Sequence, residues 1–486
     1  MSVPDLMRIG AIQTEMAQDV QTIITDPVVF DQNTCRITLQ NIGFLHSLSR
    51  ISFVVEADST VNGIAGTNPN VTFPIGVGIH SLIERASLMI GGKTVCEIED
   101  FAHFMGYKSM FIDNQINKER ESVLSGRILN HNFVYDADSD FTAKAYGIDN
   151  GTYPLVVGAG VDVGMTAAFN ATASTSASAT IITDGVVPKD NLLVRNEPEL
   201  QIALADLFPF LRFNQLPLYM MAEQVSINLV FTRAADKRRV CRQGVSGAAQ
   251  TFNIKSGSVS LIADYLTFDG EIMAQYASAN AQMNFNYVDY RLAKRTYADD
   301  DTTKQILNVG GAGRIVNKMF VGMANDNQGH NNLLNCYSSQ DPGVVSGNNQ
   351  ILTTNVRYND EYLYPIDRTN PSIVFHDIVQ TESMVPHVTR DEYNSESGPD
   401  GGGLSAQKYN GHSVSAVTNV GLRGKFFYQA HRLNKNERIN SRGIELETTY
   451  SALPDLGGAL SYTQRVWIEL LRTATLRNGV FDCYYA

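Results

Sequence analysis

The residues that could do chemistry are scattered. His376 and Asp377 are adjacent, as an imidazole and the carboxylate that orients it would be beside a serine nucleophile, but no GxSxG elbow accompanies them. Nine histidines form no HExxH pair, and His103 reads as a packing residue within an aromatic stretch. Gly310-Gly-Ala-Gly-Arg314 looks like part of a dinucleotide loop, yet Ile315 to Val321 after it reads as strand rather than helix, so a turn is expected. The chain has no Walker loop. Asp299, Asp300 and Asp301 read as a solvated turn, with a surface calcium site as the functional alternative. Asn325 to Gly329 offers oxygen ligands but no bidentate Glu at the position an EF-hand needs. The five cysteines, Cys35, Cys96, Cys241, Cys336 and Cys483, have no metal-site spacing and read as buried thiols in a reducing compartment. No catalytic, cofactor or metal site is expected.

Composition narrows the class further. The 486 residues carry 38 basic and 50 acidic side chains, a formal charge of −12, and only 18% are charged. Broad nucleic-acid binding needs clustered Lys and Arg, which this balance disfavours. A small basic patch is compatible with it, and Lys237, Arg238, Arg239 and Arg242 form a candidate that otherwise reads as a solvated linker. No window has the continuous apolar length of a membrane span. The opening Met1–Met16 stretch lacks the basic-then-apolar layout of a signal peptide, so the sequons at Asn70, Asn150 and Asn170 read as chance.

The elements that would position any site are mostly strands. Val225, Ile227, Leu229 and Phe231 alternate with Ser226 and Asn228, which predicts a strand with one buried face. Similar patterns mark 35–39, 51–55, 85–90, 258–267, 284–291, 315–322, 351–356, 373–379, 424–430, 465–471 and 480–485. Many short strands between Gly, Asn, Asp and Pro turns point to sandwiches rather than a parallel sheet. Helices are expected at 97–112, where Phe101, Phe104, Met105, Tyr107 and Phe111 follow a three- and four-residue rhythm behind Glu97, Glu99 and Asp100. Others are expected at 115–125, ending at Gly126, and from Pro198 to Pro209. Long loops are expected at 147–187 and 391–412.

Three stretches together resemble the double jelly-roll major capsid proteins of polinton-like viruses, virophages and nucleocytoplasmic large DNA viruses. They are Phe73 through Ile90-Gly-Gly to Val95 followed by the acidic, aromatic helix, Leu207 to Tyr219 leading into Val225–Phe231, and Gln464 to Ala486. The resemblance implies an all-β chain of two consecutive eight-stranded antiparallel jelly rolls with a few short helices in loops. The corresponding division is an arm at 1–30, a first jelly roll at 31–235, a linker at 236–255 and a second jelly roll at 256–486. Phe53, Ile90, Val225, Ile227, Leu229 and Phe231 are expected in the first core, and Val466, Ile468 and Leu470 in the second.

It implies a non-enzymatic protein of the virion capsid, assembled inside the host cell. Pseudo-hexagonal homotrimers would tile an icosahedral shell around double-stranded DNA. The implied partners are other copies of the chain and penton and minor capsid or cement proteins. An internal membrane or packaged DNA is the candidate for what meets the inner face. Two other readings remain open from the residues: a β-sandwich carbohydrate-binding protein or glycoside hydrolase, and a vertex or fibre protein of the same particle. The single tryptophan, Trp467, counts against a sugar cleft, which leans on several exposed aromatics.

Overall fold

The structure is a computed structural model that describes residues 18–57, 77–108, 111, 124–125, 133–136, 142–145, 199–232, 252–298, 304–325, 353–368, 371–383, 428–433, 437–449 and 461–485. The expected loops 147–187 and 391–412, the Asp299–Asp301 run, the basic group at 237–242 and Gly126 lie outside them, as does most of 115–125.

Two sheets build the first sandwich. One runs in the order Val29–Phe30, Thr34–Thr38, Val225–Phe231, Ile83–Ile90, Lys93–Glu99, all antiparallel. Its last two strands form a hairpin across Gly91 and Gly92. Both have positive φ, 57° and 80°, as a two-residue turn matched to strand twist requires. The facing sheet is organised by Arg50–Ala57 and Ser260–Phe268, with Glu199–Ala203, Phe44–Leu45, Leu216–Pro217, Phe252–Ile254 and the edge strand Gln18–Thr25 added. Phe53, Ile90, Val225, Ile227, Leu229 and Phe231 are all buried between them, and Phe53 meets Phe231 edge-on at 5.9 Å. Ser226, expected on a wetter face, is buried too.

The second sandwich is built on two long strands. Gln282–Ala298 and Ser461–Arg477 pair along their whole 17-residue lengths. Val316–Asn325 and Val480–Tyr485 lie end to end along the other side of Ser461–Arg477, and Tyr428–Arg432 extends the sheet. Lys304–Gly310, Ile444–Thr449, Thr353–Tyr358 and Glu361–Tyr362 face it. Val466, Ile468 and Leu470 are buried there with Met319, Val356 and Leu446.

Several expectations change. Residues 373–379 belong to the helix Pro371–Glu382, not a strand. Val374 and Ile378 bury one helical face, a spacing of four, and Pro371 suits a first turn. The expected helix 97–112 splits. Lys93–Glu99 is strand, Asp100 turns the chain at φ 51°, and the helix is Phe101–Lys108, so Glu97 and Glu99 end a strand rather than open a helix. Between Pro198 and Pro209, Glu199–Ala203 is instead drawn into a strand by pairing with Arg50–Val54. Helix Leu204–Leu207 follows, and Pro209 opens the next helix, Pro209–Phe213. Phe252–Ile254 pairs with Arg50–Ala57 of the first sandwich. Ser260–Phe268 pairs with Gln18–Thr25, Phe44–Leu45 and Arg50–Ala57 of the first sandwich. The crossing to the second sandwich is the helix Gly270–Ala279, capped by the Asp269 carboxylate, which accepts from the Glu271 amide at 3.0 Å.

Leu229 lies in the central strand between Cys35 and Ala86. Leu229→Asp is expected to abolish the folded first sandwich, since a carboxylate there has no partner. Circular dichroism and a thermal scan check this; a variant melting like the parent would mean the strand is misplaced.

Candidate functional site at the seam between the sandwiches

The helix Phe101–Lys108 belongs to the first half, yet it packs on the second. Residues Phe101 to Tyr107 are all buried. The Tyr107 ring stacks on Phe320 at 4.3 Å and 6°, and Phe320 stacks on Trp467 at 5.3 Å. Phe104 meets Tyr290 edge-on at 4.8 Å. A second aromatic group gathers Phe210 of the first half against Phe285, Tyr287 and Phe481. Each such pair contributes about 0.5–1.5 kcal/mol beyond area burial.

Water excluded by these rings leaves the charges at the seam dependent on one another. Glu382 accepts from Tyr107 Oη at 2.8 Å and from Lys318 Nζ at 2.8 Å, with Lys108 Nζ at 3.4 Å. Glu469 accepts from Tyr290 Oη at 2.7 Å and lies 3.6 Å from Lys318. Two lysines and two glutamates thus balance. Burial would push the Glu382 carboxyl up, but Lys108 and Lys318 outweigh it and hold it below its ordinary value. Burial also works against the charge on Lys318, and Glu469 and Glu382 reverse that and raise it. Lys108, farther from Glu382 and repelled by Lys318, is instead lowered, chiefly by burial.

Further ties cross the same seam. Arg465 Nε donates to Asp100 Oδ2 at 2.9 Å, and Trp467 Nε1 donates to the Glu99 carbonyl at 3.2 Å. Arg472 Nη1 donates to the Val95 carbonyl and to Asp289 Oδ2, while Asp289 Oδ1 accepts from the Glu97 amide. The Phe481 amide donates to Glu223 Oε2 at 2.8 Å, fixing the C-terminal strand to the first half.

The residues singled out for chemistry are not assembled. Asp377 is buried against Arg368, whose Nε donates to it at 2.9 Å, whereas His376 is exposed and bonds Gln380. The two side chains make separate contacts, one exposed and one buried, from adjacent positions of one helix. Cys35, Cys96 and Cys483 are free. Burial pushes the Cys35 thiol up to about 12 and raises the other two, which suppresses thiolate chemistry. Gly310, Gly311 and Gly313 all have positive φ in a turn joining the two sheets of the second sandwich, and the Gly310 and Gly313 amides donate to Asn308 Oδ1 and to the Ile439 carbonyl. Trp467 is 1% exposed. Among the described residues no group of three His, Cys, Asp or Glu side chains could hold a metal, and no helix is long and apolar enough to cross a membrane.

Sequence reasoning anticipated the aromatic helix but not its ionic partners Lys108, Lys318, Glu382 and Glu469. One signal was present. In Arg465-Val-Trp-Ile-Glu469-Leu-Leu-Arg472 the apolar residues occupy both faces of a strand, so the charged ones must be buried with partners.

This architecture, two fused antiparallel sandwiches with a helix of one wedged against the other, is the double jelly roll of major capsid proteins. The mavirus major capsid protein is similar over 100% of this chain and 95% of its own, with a TM-score of 0.53 and 10% identity. A chain of the Sputnik virophage particle matches over 97% and 89%, with a TM-score of 0.56 and 15% identity, and one of the PBCV-1 virus capsid over 97% and 97%, at 0.51 and 11%. No family model and no curated protein matches the sequence.

Glu382→Gln is expected to cost about 3–5 kcal/mol at neutral pH, because it leaves Lys108 without its ion-pair partner and Lys318 with Glu469 alone in a dry seam. Glu382 ionises more readily folded than unfolded. Its contribution is therefore present above its ordinary value of 4.5 and is lost as pH falls through the lower folded value. Thermal denaturation at a series of pH values checks this: the gap between parent and variant should close on acidification, and a gap that is constant with pH would contradict it.

Proposed function

We propose that this chain is the major capsid protein of an icosahedral double-stranded DNA virus, a structural protein that works by self-assembly. The observation that carries this reading is the end-to-end likeness of both sandwiches to the mavirus major capsid protein. The two units divide at the helix Gly270–Ala279, and three copies of a two-sandwich chain present six similar walls, the geometry of a pseudo-hexagonal tile. The stacked rings and buried ion pairs that tie the two halves together support it, since a tile must hold its halves in one arrangement.

Exposed apolar side chains support association with other copies. Val20 and Ile24 share one face of the edge strand Gln18–Thr25 and are 53% and 67% exposed, with Val28 and Val29 close behind in sequence. An uncovered edge with such residues is an aggregation hazard unless a partner covers it. Penton and minor capsid or cement proteins complete the set of partners, with membrane or DNA beneath the shell. The carbohydrate reading loses its main resource because Trp467 is buried in the seam.

Size-exclusion chromatography with light scattering tests the proposal. A stable trimer is expected, forming hexagonally outlined particles in electron micrographs. A monomer that binds glycans would overturn it.

A further inference from the structure

Three arginines crowd one tyrosine at the end of the second sandwich where the Gly310–Arg314 turn joins its sheets. The guanidinium carbons of Arg314, Arg472 and Arg291 lie 4.0, 4.6 and 5.6 Å from the centre of the Tyr485 ring. Arg291 Nη2 also donates to Tyr485 Oη at 2.7 Å, which leaves that hydroxyl its own proton to give. Among the described residues one carboxylate serves the group: Asp289, bonded to Arg472 at 2.9 Å. Arg291 and Arg314 have no ion-pair partner among the described residues. Among the described residues the local charge is therefore three positive less one negative, or +2, in a chain whose total is −12.

Like charges this close repel unless something holds them. The ring faces supply part of the compensation, since a guanidinium is attracted to the negative face of an aromatic ring. Arg314 still carries the mark of the crowding: burial, then Arg291, hold its guanidinium below the usual range. Arg472 is buried, and its Nε has no hydrogen-bond partner. Arg291 is exposed and Arg314 half-buried, so the uncompensated side of the cluster is open to solvent. Planar guanidinium forks and a hydroxyl are the donors that suit the oxygens of a tetrahedral dianion.

We infer that Arg291, Arg314, Arg472 and Tyr485 form a phosphate-binding site, occupied by inorganic phosphate or by a phosphate of a nucleic-acid backbone. The glycines of the turn do not cradle the anion. They only carry the chain between the sheets and deliver Arg314 beside the ring. The inference goes beyond capsid assembly and stands whether or not the chain forms trimers.

Phosphorus-31 NMR of inorganic phosphate, titrated with the full-length protein against chloride at matched ionic strength, tests it. Saturable broadening is expected with the parent, and binding at least about tenfold weaker with Arg291→Gln/Arg314→Gln. Both substituted side chains reach solvent, and circular dichroism checks that the variant is folded. Should it not fold, Arg314→Lys keeps the charge and removes the fork, and several-fold weaker binding is expected from it. Short single-stranded DNA that displaces phosphate from the parent identifies backbone phosphate as the source; retained phosphate binding without displacement identifies the free anion. Broadening that does not saturate, or that is equal in parent and variants, overturns the inference.

Discussion

Removal of water from the seam by the stacked rings of Tyr107, Phe320 and Trp467 is the constraint from which the rest of the molecule follows. Where solvent is excluded, a charge is tolerable only beside its opposite. Lys108 and Lys318 therefore meet Glu382 and Glu469, and Arg465 meets Asp100. These pairs contribute less to net stability than the ring contacts around them. They set orientation instead, because each is satisfied in one relative placement of the two sandwiches. Aromatic burial supplies the attraction, and the ion pairs supply the register.

The long strands Gln282–Ala298 and Ser461–Arg477 let one sheet do two jobs. Along part of their length Val466, Ile468 and Leu470 close the second sandwich. Trp467 points the other way, into the seam, and farther along Ala474 and Leu476 join the first-half core. A strand buried on both faces has no wet side, which is why Arg465, Glu469 and Arg472 each bond to a group from a different element. The same economy explains why Ser260–Phe268 stays with the first sandwich: its partners Phe44–Leu45 and Arg50–Ala57 are already ordered by pairing within that half.

Strand existence was legible where a two-residue period was clear, as in Thr34–Thr38 and Val225–Phe231, though the alternating Ile444–Thr449 was not anticipated. The hairpin at Gly91-Gly92 was legible as a turn. Residues 373–379 were misread because a short apolar run fits a strand or a helix face equally, and only the spacing of Val374 and Ile378 against a partner distinguishes them. Glu199–Ala203 was misread for the opposite reason: its local preference is helical, and a free sheet edge at Arg50–Val54 overrode it.

The chain's own pattern of alternation and turns was enough to determine an antiparallel sandwich class and the strands that bury Leu229 and Ile468, because which side chains share a face is a local property of the backbone; that there are two consecutive jelly rolls came from the resemblance. Which lysine meets which glutamate, why Asp377 turns to Arg368 rather than to a serine, and how three arginines from two paired strands and a turn come to surround Tyr485 were decided only by tertiary structure. Those contacts join residues from nine to hundreds of positions apart and on different elements, and no local period encodes a distance set by the packing of whole sheets.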